Sequence, residues 1–68
     1  MNKAFAIKYN DKLEKYQIIT VDADTVSEGT IIFETREDAN GGYIMRFLLA
    51  KGPERDKYFE SPSLAYQD

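Results

Sequence analysis

The segment Thr35 to Pro53, TREDANGGYIMRFLLAKGP, constrains the fold most, because it carries a full set of helix start and stop signals. Thr35 is a good N-cap, Asp38 stands three residues on where a capping box places an acid, and Glu37 and Asp38 bring negative charge to the positive end of the helix dipole. At the far end Lys51 falls in the last turn, Gly52 suits the left-handed C′ conformation and Pro53 forbids continuation. The spacing predicts a helix over about 36–51. A rival reading comes from Asn40-Gly41-Gly42, which is strong turn chemistry and would join Thr30–Glu37 to Tyr43–Ala50 as a β-hairpin in an all-β fold. Two interior glycines cost a helix about 1 kcal/mol each relative to alanine. The helix is favoured because Met45, Leu48, Leu49 and Ala50 are good helix formers and the caps fall where a helix needs them.

The rest of the chain reads as strand and turn. Ala4 to Tyr9 alternates, with Phe5, Ile7 and Tyr9 on one face and Ala4, Ala6 and Lys8 on the other. Asn10-Asp11-Lys12 is a turn, and Tyr16 to Val21 is β-branched and aromatic, giving a hairpin over about 3–21. The second strand has similar faces, which suits a central position or burial on both sides. Residues 22–29 form an acidic connector, 30–34 a third strand running into the Thr35 cap, and Tyr58-Phe59 a short fourth strand in a C-terminal segment 57–68 that ends in a tail broken by Ser61-Pro62-Ser63. The order β-β-β-α-β implies a single α+β domain, a small antiparallel sheet with one helix across a face.

At about 100° per residue, Ala39, Tyr43, Phe47 and Ala50 form one helix stripe, with Ile44 at its flank. Ala39 is the one apolar residue of the first two turns and marks this stripe as sheet-facing. Met45 and Leu49, with Leu48, then point outward beside Gly41 and Gly42, next to Arg46. Either a partner docks on that stripe, or the C-terminal tail or the last strand folds over it as core.

Composition narrows the chemistry. The 68 residues include no cysteine and no histidine, so disulfides, the usual zinc ligands and the usual general base are absent. A domain of this size buries only about 60% of its unfolded surface, so five tyrosines and four phenylalanines must supply much of the core. The N-terminal apolar stretch ends at Lys8, too short for a signal-peptide core or a membrane span, so a cytoplasmic chain with no membrane partner is expected.

Net charge is −3, distributed as +2 over residues 1–20, −5 over 21–42 and 0 over 43–68. The acidic pole comprises Asp22, Asp24, Glu28, Glu34, Glu37 and Asp38, a set able to steer a basic protein, including one that itself binds nucleic acid. Calcium does not fit it: counted from Asp22, the fifth, sixth and twelfth positions of an EF-hand loop fall on Val26, Ser27 and Phe33. Neither a Walker loop nor a dinucleotide fingerprint occurs, and Glu34, Glu37 and Asp38 are explained by capping rather than acid-base work. No cofactor is expected. Nucleic-acid binding, disfavoured by the acidic balance, would use Lys3, Lys8, Lys12 and Lys15 with Tyr9 and Tyr16 on the N-terminal hairpin.

The run Phe33-Glu34-Thr35-Arg36-Glu37-Asp38-Ala39, a strand entering a capped helix, resembles that of very small phage and mobile-element accessory proteins, anti-CRISPR and host-takeover inhibitors among them. That resemblance implies a non-enzymatic protein that binds and inhibits a host protein in the bacterial cytoplasm. The β-β-β-α order is also similar to the arm domains of phage-type recombinases, from whose basic surface the acidic middle of this chain departs. The function expected is a protein-interaction module using Met45, Arg46, Leu48 and Leu49 with the acidic pole, its partner a host protein or a second copy forming a homodimer.

Overall fold

A computed structural model describes residues 2–66. Two long strands, β1 (Lys3–Asn10) and β2 (Lys15–Asp22), pair antiparallel from Lys3 opposite Asp22 to Asn10 opposite Lys15. The turn between them is held by Asn10, whose side-chain oxygen accepts the N–H groups of Lys12 and Leu13. Glu14 closes it at φ +56°, a left-handed conformation that costs a non-glycine residue about 1 kcal/mol. A two-residue strand β3 (Ile32–Phe33) pairs antiparallel with the other edge of β1, through Phe5 opposite Phe33 and Ala6 opposite Ile32. The order is therefore β2-β1-β3, with β1 central. Of the two readings of the second strand, the central position is corrected: β3 takes the free edge of β1, and among the described residues β2 is joined on its other side by a parallel bridge from Ile18 to Tyr66.

Helix α1 (Arg36–Leu49) is capped as its sequence predicts, the Thr35 hydroxyl accepting the Asp38 N–H at 3.1 Å. Asn40, Gly41 and Gly42 lie inside it, so the hairpin alternative is overturned. Phe33 supplies the reason: its ring packs on Gly42, where an added Cβ would lie 2.5 Å from Cζ. The helix ends two residues before its predicted boundary. Ala50 is extended at ψ 149°, and Gly52 takes φ +57° only after the helix has stopped. The terminal carbonyls go to Arg55 instead, whose Nε donates to Ala50 O at 3.0 Å and whose NH2 donates to Leu48 O at 3.1 Å.

The predicted fourth strand is replaced by helical turns. A 3-10 helix (Gly52–Lys57) begins with Pro53 in its first turn, and a short helix α2 (Pro62–Ala65) is capped by the Ser61 hydroxyl. Both prolines favour a helix start, having fixed φ and no N–H to lose. Tyr58 and Phe59 lie between the two helices, where the Tyr43 hydroxyl, not a neighbouring strand, accepts the Phe59 N–H at 2.8 Å. The third strand is also shorter than the predicted 30–34: Thr30 and Ile31 precede the pairing with β1, and the chain bends at Glu34 to enter the cap at Thr35. Gln67 and Asp68, the end of the predicted tail, lie outside the described residues.

Residues opposite one another in an antiparallel pair share a sheet face, so Phe5, Ile7, Tyr9, Tyr16, Ile18 and Phe33 form one face. On it α1 packs over β1 and β3, while the 3-10 helix and α2 pack along β2. The core they enclose is Ile18, Ala39, Tyr43 and Ala65, all without exposed surface, ringed by the half-buried Phe5, Ile7, Tyr16, Phe33, Tyr58, Phe59 and Tyr66. Tyr43 is its anchor. The hydroxyl donates to Tyr16 O at 2.7 Å while accepting the Phe59 N–H, which joins helix, sheet and C-terminal segment at one atom. Tyr16 stacks on Tyr58 with ring centres 4.7 Å apart, and Arg36 lies 4.3 Å from the Tyr66 ring centre, holding the C-terminal segment against α1.

Candidate functional site: the outward face of the helix

The first turn of α1 carries Glu37 and Asp38, and at about 100° per residue Gly41, Ile44, Met45, Leu48 and Leu49 continue the same side of the cylinder. The opposite side carries Ala39 and Tyr43 into the core. Exposure is 44% at Ile44, 59% at Met45, 61% at Leu48 and 71% at Leu49. No described residue covers this face, because the C-terminal segment turns inward along β2 to reach Tyr43 and Tyr66 meets Ile18. Of the two outcomes open at the sequence level, a stripe buried under the tail is not the one the chain adopts.

The expected residues are not all on this face. Met45, Leu48 and Leu49 are, and Ile44, read from sequence as a flank of the inner stripe, joins them. Arg46 turns the other way: half-buried, it reaches back toward Gly42 O at 3.4 Å and lies 5.9 Å from the Phe33 ring centre. The two glycines part company as well. Gly42 is filled by Phe33, whereas nothing lies within 4 Å of a Cβ placed on Gly41. The outward face therefore has an open notch between its acidic start and its apolar end.

The acidic pole is divided by the sheet. Glu37 and Asp38 sit on the first turn of α1, Glu34 follows β3 at one edge, and Asp22 ends β2 at the other, about 10 Å away across β1. Asp24 and Glu28 lie in the connection that follows, where the Asp22 carboxylate accepts the Asp24 N–H at 2.9 Å and serves as a turn former. Among the described residues no three of these acids converge as metal ligands would. The hairpin lysines are dispersed too. Lys8 lies on the sheet face away from α1, the Lys15 ammonium donates to Asp56 O, and Tyr9 and Tyr16 pack edge to face on the opposite side.

That second sheet face has small residues at its centre, Ala4 and Ala6, each 2% exposed. The connection from β2 to β3 borders it, with Val26, Ser27 and Thr30 facing Ala6, Ile19 and Val21 across an open cleft of about 480 Å³. Among the described residues no helix is long and apolar enough to cross a membrane. No family model matches the chain, and no curated protein and no solved structure matches it.

Proposed function

We propose that this chain is a non-enzymatic protein-interaction module whose docking surface is the outward face of α1. The observation carrying the reading is the exposure of four large aliphatic side chains, Ile44, Met45, Leu48 and Leu49, on a single face of the longest helix. Scattered surface aliphatics are ordinary, but a contiguous set on one rigid element is the usual form of a helix-mediated contact. Glu37 and Asp38 at the head of that face supply a charged rim that favours a partner with a basic group at the matching position. A small inhibitor acting by occlusion of a host protein, as the resemblance to phage accessory proteins implies, would use such a surface.

The test is affinity capture of a stoichiometric protein partner by the tagged chain from bacterial lysate, with and without nuclease, against Leu49→Asp. Capture that survives nuclease and disappears with a folded Leu49→Asp variant is the expected result. Recovery only of nucleic acid, or unchanged capture by the variant, would overturn the reading.

A further inference from the structure

We propose that Tyr16 and Tyr58 form a modification site, at which a one-electron oxidant joins the two rings as an intramolecular dityrosine that ties β2 covalently to the C-terminal segment. The inference is independent of the interaction-module reading, because neither residue belongs to α1. Its first support is the arrangement of the rings. Tyr9, Tyr16, Tyr58 and Tyr43 make a continuous cluster, with successive ring centres 5.1, 4.7 and 5.4 Å apart. The two outer contacts are edge to face, at 68° and 72° between planes, whereas Tyr16 and Tyr58 stack at 21°. Coupling of two phenoxyl radicals requires the ring carbons beside each oxygen, which carry unpaired spin, to approach face to face. Among the described tyrosine pairs only the stacked one presents them so. The oxygen-bearing ends are also neighbours: after burial, repulsion from Tyr16 is the next cause that raises the Tyr58 hydroxyl above the ordinary 10.0. Rings held in this way couple within one molecule, with no encounter between chains required.

Composition is the second, independent support. The chain has no cysteine, tryptophan or histidine, so its five tyrosines are the side chains that give up a single electron most readily. Tyr16 and Tyr58 are half-buried, open to a small oxidant while each covers a face of the other. Neither hydroxyl is hydrogen-bonded to a described residue, in contrast to Tyr43, whose hydroxyl is engaged on both sides. Each phenol loses one electron and one proton, the proton passing to water. The two radicals then form one carbon–carbon bond between ring positions beside the oxygens, and the hydrogens displaced there move to the oxygens and restore both phenols. With hydrogen peroxide as the terminal oxidant, one peroxide takes up the two electrons and two protons and leaves as two waters.

The test treats the dilute full chain with a haem peroxidase and hydrogen peroxide. The expected product is a monomer lighter by two hydrogen atoms, with dityrosine fluorescence, whose proteolysis yields a cross-linked peptide pair carrying Tyr16 and Tyr58. A tie closing a loop of about 40 residues is expected to raise the melting temperature by at least about 10 °C. Tyr58→Phe keeps the stacked ring and removes the reacting hydroxyl, so it should stay folded and give no internal cross-link, whereas Tyr9→Phe should form the cross-link as the parent does. Unfolding in urea before oxidation should lower the yield of the Tyr16–Tyr58 product at least about tenfold, because the rings are then no longer held together. A cross-link that maps to Tyr9 with Tyr16, that joins only separate chains, or that persists in Tyr58→Phe would overturn the assignment. Equal yield from the urea-unfolded chain would overturn it as well, since the fold would then play no part in choosing the pair.

Discussion

Gly41 and Gly42 are neighbours in the chain and opposites in the fold. Gly42 faces inward, where the Phe33 ring occupies the place of its side chain, and Gly41 faces outward, where nothing does. The same contrast runs the length of α1: Ala39 and Tyr43 on one side have no exposed surface, while Met45, Leu48 and Leu49 on the other are more than half exposed. A helix with two apolar faces and one sheet can satisfy only one of them. The sheet chose the face that carries Tyr43, because that residue alone offers a hydroxyl able to satisfy both a β2 carbonyl and a C-terminal N–H.

The largest expected effect lies on the inner face. Tyr43→Phe leaves Tyr16 O and the Phe59 N–H without their partner and should lower unfolding free energy by about 2–3 kcal/mol, read by urea denaturation. The same hydroxyl predicts alkaline sensitivity. Burial raises the Tyr43, Tyr58 and Tyr66 hydroxyls above the ordinary value of 10.0. A pKa higher in the folded than in the unfolded state gives stability that is intact below about pH 10 and falls as pH rises through the folded values. Tyr43→Phe should flatten that fall, and an alkaline profile identical to that of the parent would place the sensitivity elsewhere.

The next effect is a difference between neighbours. Gly42→Ala gains about 1 kcal/mol of helix propensity but drives a Cβ into Phe33, for a net loss of about 1 kcal/mol, whereas Gly41→Ala gains its propensity in open space. The two substitutions should differ by about 2 kcal/mol in opposite directions, measured by thermal unfolding at a concentration where the chain is monomeric. Equal effects would erase the distinction between the faces. Smallest is Leu49→Asp, which should change monomer stability by less than about 0.5 kcal/mol because the side chain is 71% exposed. A loss of 2 kcal/mol or more, by denaturation of the monomer, would make Leu49 core and remove the docking face.

The outward stripe was legible because helical periodicity and a single marker, Ala39, orient the helix before any coordinates are known. Ile44 was misplaced for a geometric reason: it stands at the border of the inner stripe, and how far the packed elements reach around the helix, which leaves Ile44 44% exposed, is decided by tertiary packing. Arg46, expected beside the outward stripe, reaches Gly42 O and the Phe33 ring instead, a contact that depends on where the strand pairing places Phe33. The acidic residues formed a set in sequence and do not form one in space, since the sheet order places Asp22 and Glu34 on opposite edges.

By itself the sequence determined what neighbouring residues decide: the Thr35 cap, the alternation of Phe5, Ile7 and Tyr9, the turn at Asn10, and the α+β class that follows from them. Those features rest on interactions spanning two to four residues, which a local pattern records. Tertiary structure decided the rest. The helix stops where it does because Arg55 folds back onto the carbonyls of Leu48 and Ala50, β1 is central because β3 returns to its free edge, and Tyr58 and Phe59 are not a strand because Tyr43 claims the Phe59 N–H. In each case a backbone group has more than one possible partner, and the choice belongs to whichever distant side chain arrives.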